Sequence, residues 1–209
     1  MSMVEKNFKA EINRRRRLES TYPGLMDVFV QLVGSIPPSH SKQEEFPMAA
    51  AIVEIKEGKL EIFTDGLNEV NKRGQPGAHA EAVAIEREAA KKRDKHLTGM
   101  YLVTTVEPCL GCVGDAINAG LKGVFFGLSQ KDIKGKHVYS GEKNATYKTY
   151  RDFRGYNGKQ LLNANGVGIV EGGLYRDMIL QKLTRTYPRL ADMGDIDELI
   201  LNDPDVGVR

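Results

Sequence analysis

Two short motifs contain the residues of this sequence that could do chemistry. The first is HAE at positions 79–81, and the second is PCLGC at positions 108–112. Imidazole nitrogen and thiolate sulfur are preferred ligands of zinc, so His79, Cys109 and Cys112 are candidates for one shared metal ion. Three protein ligands leave the fourth position of a tetrahedral zinc ion to water, which is the arrangement of a catalytic site.

The spacing of the cysteines predicts that both face the same way at the start of a helix. Cys109 and Cys112 are three residues apart, and residues that far apart lie on one face of a helix. We expect that helix to cover 109–119, where its N-terminus favours thiolates. His79 begins another predicted helix, over 79–94. If both helix N-termini point at one spot, the three ligands converge there.

Glu81 is expected to move protons rather than to bind the metal. Residues i and i+2 of a regular helix are about 200° apart, so His79 and Glu81 should not both be ligands. A molecule that lies across the helix end could still contact both. Glu81 would then take a proton from the zinc-bound water and deliver it to a ring nitrogen and a departing amine.

The combined pattern H-x-E and P-C-x-x-C is the signature of zinc deaminases, whose glutamate is not a ligand. The sequence resembles the cytidine/deoxycytidylate deaminase superfamily, and within it the branch of tRNA-adenosine deaminases and guanine deaminases. The segments that carry this resemblance are GLN at 66–68, AHAE at 78–81, TVEPCLGC at 105–112 and VFFG at 124–127. Residues 46–53 fit the first strand of that family, and 166–185 fit its end more loosely.

The resemblance implies a hydrolytic enzyme that releases ammonia from an amino-purine or amino-pyrimidine, as free base, nucleoside or nucleotide. Adenosine in tRNA is the alternative substrate. Asn68 is implied to touch the base or ribose, and the backbone N–H of Ala80 to bind a ring acceptor. A homodimer is also implied. The sequence departs from the family at Asp115, where a small residue is usual, and in a longer segment over 129–160.

Apolar patterning along the chain predicts alternating strands and helices. After a helical region over 1–20, these elements are a helix at 24–34, strands at 46–55 and 60–64, a helix at 79–94, a strand at 101–106, a helix at 109–119, strands at 124–128 and 166–170, and a helix at 174–183. Such an order favours the α/β class, as a three-layer α/β/α sandwich around a mixed sheet of about five strands.

We divide the chain into a helical segment (1–40), a zinc deaminase domain (41–187) and an acidic tail (188–209). The insertion at 129–160 is predicted to be irregular and contains eight Lys or Arg against three Asp or Glu. It also contains several aromatic residues. Aromatic side chains can stack on bases, and basic side chains can bind phosphate. Three roles remain open for this insertion. It could be an RNA-binding lid, close over a small nucleobase, or pack on a second subunit.

Composition excludes several classes of protein. The 209 residues carry a net charge of +2, include two cysteines and contain no apolar run of membrane-spanning length. A disulfide scaffold is therefore excluded, and we expect a cytoplasmic protein without a membrane partner.

Three alternatives to a catalytic zinc remain open. The cysteines could form a redox pair. They could instead hold a closed structural zinc with His40, His96 or His137 as a further ligand. The chain could also be a non-enzymatic zinc module that binds RNA through the insertion.

Overall fold

The computed structural model describes residues 3–38, 45–129 and 158–186. The insertion at 129–160 lies mostly outside these residues, and so does the acidic tail. In the described part the helices are α1 (Met3–Thr21), α2 (Leu25–Ser35), α3 (Val70–Arg73), α4 (Ala80–Lys92), α5 (Leu110–Asn118), α6 (Gly158–Ala164) and α7 (Arg176–Thr186). The strands are β1 (Ala49–Lys56), β2 (Lys59–Leu67), β3 (Tyr101–Val106), β4 (Gly123–Leu128) and β5 (Ile169–Glu171).

A mixed sheet forms the middle layer of this part of the chain. Its strand order is β2-β1-β3-β4-β5, with β1 antiparallel to both β2 and β3. Strands β3, β4 and β5 run parallel to one another. Because β1 is antiparallel to both of its neighbours, β2 runs in the same direction as β3. The carboxyl ends of β2, β3 and β4 therefore lie at one edge of the sheet, which we call the carboxyl edge.

Two hydrophobic clusters lie on the two faces of the sheet, so the expected three-layer α/β/α sandwich is confirmed. One cluster contains apolar residues of α2 and α7, among them Phe29 and Ile179, packed on Val103 and Phe125. The other contains apolar residues of α4, α5 and α6, packed on strand residues such as Leu102. Strands β3 and β4 are buried along their whole length, as expected for parallel strands covered on both faces.

The predicted element order is confirmed, with differences at the ends of elements. The first strand begins at Ala49 rather than residue 46, because Pro47 has no N–H to donate to a ladder. The last strand begins at Ile169 rather than 166, since Gly166 has a left-handed backbone with φ of 83°. Two short helices, α3 and α6, were not predicted, and α6 begins within the segment that was predicted to be irregular. The domain boundaries remain predictions.

Among the helices of the described residues, none combines the length and the apolar character that a bilayer-spanning segment needs.

Gly66 allows β2 to lie directly against the first turn of α4. A Cβ atom at this position would come within 2.4 Å of the Ala80 carbonyl oxygen and 2.6 Å of the Ala84 nitrogen. Both contacts are with backbone, which has little room to move. This close approach fixes where α4 begins relative to the carboxyl edge.

We predict that Gly66→Ala lowers the free energy of unfolding by about 1–3 kcal/mol, because the methyl group forces backbone apart in a packed layer. Gly34→Ala is the control, since a Cβ at Gly34 meets nothing within 4 Å and the residue lies in helix α2. That change should be neutral or slightly stabilising. Urea unfolding of the two variants measures the difference, and equal stabilities would contradict the close approach.

Candidate zinc centre

His79, Cys109 and Cys112 come together at the carboxyl edge. The Nδ1 atom of His79 lies 3.3 Å from Cys109 Sγ and 3.5 Å from Cys112 Sγ, and the two sulfurs are 3.5 Å apart. Within the described ranges, these three residues are the group whose ligand atoms could hold one metal ion. The convergence predicted from the two motifs is therefore observed.

The two helix starts explain how the ligands are presented. His79 is the N-cap residue of α4 and Cys109 is the N-cap residue of α5, each with an extended backbone (ψ of 158° and 166°). Neither side chain makes the capping hydrogen bond that Ser, Thr, Asp or Asn makes at such a position. Both side chains are instead directed to the common point, which Cys112 reaches from the first turn of α5.

The three side chains fit a zinc ion. Zn–S bonds of about 2.3 Å and Zn–N bonds of about 2.0–2.1 Å in a tetrahedron place two sulfurs about 3.8 Å apart, and sulfur and nitrogen about 3.6 Å apart. The observed separations are within a few tenths of an ångström of these values. No fourth histidine, cysteine or acidic ligand atom belongs to the group in the described part of the chain, which matches a catalytic site.

The thiols and the imidazole share their protons closely. A hydrogen bond from the Cys112 thiol, together with one involving His79, lowers the pKa of Cys109 to about 4. Cys112 donates that hydrogen and is buried, so the pKa of its own thiol is raised. The hydrogen bond with Cys109 raises the pKa of His79. A divalent cation between these atoms would replace the shared protons, as metal binding to thiols requires.

Glu81 lies beside the three ligands without belonging to their group. Its side chain is fully buried. The Thr104 hydroxyl donates to Oε1 over 3.1 Å, and Oε2 lies 3.6 Å from Cys112 Sγ. Burial raises the pKa of Glu81 to about 7, where a carboxyl group can both accept and release a proton at neutral pH.

Asn68 is placed at the same edge by the loop that follows β2. It is fully buried, and its backbone N–H donates to the Met48 carbonyl oxygen. The next residue, Glu69, donates its backbone N–H to the Ala78 carbonyl oxygen over 2.9 Å, directly before His79. Ala80 is the first residue of α4, so its N–H is one of those with no acceptor inside the helix.

Glu45 is a buried acidic residue that the sequence analysis missed. Its Oε2 accepts a hydrogen bond from Asn68 Nδ2 over 2.8 Å, and its Oε1 accepts one from the backbone N–H of Lys72 over 2.7 Å. The carboxylate therefore joins the chain before β1 to the loop after β2. Glu45 and Asn68 are 23 residues apart, and no motif or periodicity in the sequence connects them.

The geometry weakens two of the alternatives. The sulfurs of Cys109 and Cys112 are not bonded, and His79 lies as close to each as they lie to each other, which a redox pair would not require. His96 is exposed and outside the ligand group, so it does not complete a closed structural site. His40 and His137 are not among the described residues.

A family model described as the zinc-binding region of cytidine and deoxycytidylate deaminases matches residues 28–128. The tRNA-specific adenosine deaminase of Haemophilus influenzae is 31% identical over 157 residues, which are 75% of this chain and 80% of that protein. The same enzyme of Buchnera aphidicola is 32% identical over 90 residues, 43% of this chain. That match spans only 57% of the Buchnera protein's length.

A solved structure resembles this chain over a longer stretch than the family model does. The guanine deaminase from Nitrosomonas europaea superposes with a TM-score of 0.55 at 25% sequence identity. The match covers 74% of this chain and 82% of that one. It therefore includes parts of the chain outside residues 28–128.

We predict that the purified chain binds one zinc ion and that His79→Ala abolishes stoichiometric binding, because two thiolates alone leave the ion half coordinated. His96→Ala is the control, since that histidine is exposed. Elemental analysis after dialysis measures the metal content. Retention of stoichiometric zinc in His79→Ala would show that His79 is not a ligand, and loss of zinc in His96→Ala would show that the effect is not specific to His79. Chelation should also lower the melting temperature of the wild type, as metal binding stabilises the folded chain.

Proposed function

The chain belongs to the cytidine and deoxycytidylate deaminase family, and on that premise we propose that it is a zinc-dependent hydrolase of nucleobase amino groups. One observation carries the proposal. His79, Cys109 and Cys112 surround a common point, and the carboxyl group of Glu81 is buried directly beside them. Three ligands and an adjacent buried acid are the parts that hydrolytic deamination needs.

The reaction replaces an exocyclic amino group with oxygen from water and releases ammonia. His79, Cys109 and Cys112 would hold a zinc ion, which would supply Lewis acidity that lowers the pKa of water at this site to about 7. Glu81 would accept one proton from the attacking water and pass it to a ring nitrogen as the C–O bond forms. It would then carry the second proton of that water from the new hydroxyl group to the amino group, which leaves as ammonia when the C–N bond breaks. Oε2 of Glu81 is the oxygen on the side of Cys112, so it is the one placed to handle these protons.

Asn68 and Ala80 would orient the ring. Asn68 directly follows β2 at the carboxyl edge, and Ala80 follows the ligand His79 at the start of α4. An asparagine amide offers a donor and an acceptor to a base or ribose, and the Ala80 N–H offers a single donor to a ring nitrogen or carbonyl. The Glu45 carboxylate accepts from Nδ2 of Asn68, which supports a fixed orientation of that amide.

The substrate class is an amino-purine or amino-pyrimidine as free base, nucleoside or nucleotide. The names of the relatives favour the purine, since one is a guanine deaminase and the others act on adenosine. Adenosine in tRNA is the second candidate, and it is favoured by the Haemophilus relative, which this chain matches over 80% of its length. A homodimer in the cytoplasm is the proposed setting.

We predict that Glu81→Gln lowers the rate of ammonia release by a factor of at least about 10² and leaves the zinc content unchanged. Glu88→Gln is the matched control. Glu88 is also a fully buried glutamate of α4, but it contacts Thr64 and Lys91 rather than the ligands. Ammonia release and metal content are measured on both variants. An active Glu81→Gln enzyme would remove Glu81 from the mechanism.

A screen of substrates separates the candidate functions. We expect ammonia from at least one of adenine, guanine, cytosine, their nucleosides and nucleotides, and unmodified tRNA. A tRNA-acting enzyme should bind tRNA with an affinity that falls steeply with salt, since phosphate contacts release counterions. Activity on a base or nucleoside, with little tRNA binding, would favour the small substrate. A zinc-loaded wild type that binds RNA and releases no ammonia from any of these compounds would be a non-enzymatic module.

A further inference from the structure

Two adjacent threonines of β3 use their hydroxyl groups in different ways. Thr104 and Thr105 are both fully buried, and successive side chains of a strand point to opposite faces of the sheet. The Thr105 hydroxyl exchanges hydrogen bonds with the backbone N–H and carbonyl of Ala49, over 3.1 and 3.2 Å. It therefore holds β1 and β3 together. The Thr104 hydroxyl is directed to the other face, where α4 packs.

The Thr104 hydroxyl lies between two acceptors. Its Oγ1 is 3.1 Å from Glu81 Oε1 and 3.1 Å from the carbonyl oxygen of Val106. A hydroxyl group has one hydrogen to donate and two lone pairs that accept. It can therefore donate its hydrogen to the Glu81 carboxyl oxygen or to the Val106 carbonyl oxygen, both of which are within hydrogen-bonding distance.

This contact makes the two oxygens of the Glu81 carboxyl group unequal. Oε1 is held against Thr104, and Oε2 is on the side of the metal ligands, 3.6 Å from Cys112 Sγ. A buried carboxyl group without such a partner could rotate and present either oxygen. The β-branched threonine has a restricted χ1 angle, so its hydroxyl is a rigid partner.

We propose that Thr104 is a positioning residue for Glu81. Its hydroxyl holds Oε1 on the side of β3, so that Oε2 is the oxygen that faces the metal ligands. This inference rests on the proposed function, because it assigns Thr104 a part in the same reaction. It goes beyond the motif residues, since Thr104 is outside both HAE and PCLGC.

A hydroxyl at this position is not required by packing. Leu102, the residue of β3 in the apolar cluster on the α4 and α5 side, has no polar side-chain group, and valine has nearly the same shape as threonine. A buried hydroxyl group is costly unless it is hydrogen-bonded. The carbonyl of Val106 would be a sufficient hydrogen-bond partner for the buried hydroxyl. The additional contact with Glu81 is therefore not needed to satisfy the hydroxyl, and it is the contact that a positioning role requires.

The test compares Thr104→Val with Thr104→Ser, which restores the hydroxyl. We expect Thr104→Val to lower kcat by about 10–100-fold, the value of one hydrogen bond to a charged group. KM should stay within about twofold, because the loss falls on a proton-transfer step rather than on binding. Thr104→Ser should recover most of kcat. Zinc content and melting temperature are recorded for every variant, so that loss of the site or of the fold is seen directly.

Thr105→Val is the matched control, because it removes a buried hydroxyl from the same strand. It should lower the melting temperature and leave kcat near that of the wild type. Thr104→Ala removes the hydroxyl while leaving space rather than adding a methyl group. Equal losses of kcat in the alanine and valine variants support the proposal, because the two variants share only the loss of the hydroxyl. This holds even if one variant has a lower melting temperature than the other.

Three results would overturn the inference. The first is a wild-type kcat in Thr104→Val or Thr104→Ala with zinc bound. The second is a loss in Thr104→Val that Thr104→Ser does not restore, and the third is an equal loss of kcat in Thr105→Val. Failure of the proposed function itself is distinguishable, because the wild-type protein would then release no ammonia before any variant is made.

Discussion

The site depends on one geometric constraint, which is that two helices begin at the same point of the sheet edge. Helices α4 and α5 start next to the carboxyl ends of β2 and β3, and their N-cap residues His79 and Cys109 meet there. The partial positive charges of the two helix N-termini lie close together at this point, where they favour thiolates. The shared direction of β2 and β3, both antiparallel to β1, makes this possible, because both strands end at the same edge of the sheet.

The sheet also brings residues to this edge that are far apart in the chain. Gly66 lets β2 lie against α4, and the loop that follows is tied to Ala78 by the backbone of Glu69. Glu69 in turn binds the side chains of Lys72, Arg73 and Arg87. The loop that contains Asn68 is thus held on both sides, by ion pairs from α3 and α4 and by the buried Glu45.

The sequence was sufficient for the parts of the site that depend on local spacing. Cys109 and Cys112 share a helix face because of their three-residue interval, and His79 was recognised through its neighbour Glu81. The β3 strand was predicted with its observed bounds because four of its six residues are β-branched. The α/β/α layers followed from the order of the elements.

What escaped prediction depends on contacts between distant segments. Glu45 is an ordinary acidic residue until the fold buries it against Asn68, and Thr104 is an ordinary strand residue until α4 places Glu81 above it. The helices α3 and α6 were missed because four and seven residues are too few for a periodic pattern. The roles of Glu81, Asn68 and Ala80 remain proposals.

At the N-cap positions of α4 and α5, metal binding and helix stability favour different residues. Serine, threonine, aspartate or asparagine at such a position stabilises a helix by about 1 kcal/mol, and neither His79 nor Cys109 makes that hydrogen bond. In the absence of metal, a capping residue at either position would therefore stabilise its helix. The two ligands mark the place where this chain gives up intrinsic helix stability for a metal site, and a bound ion then returns stability to the folded chain.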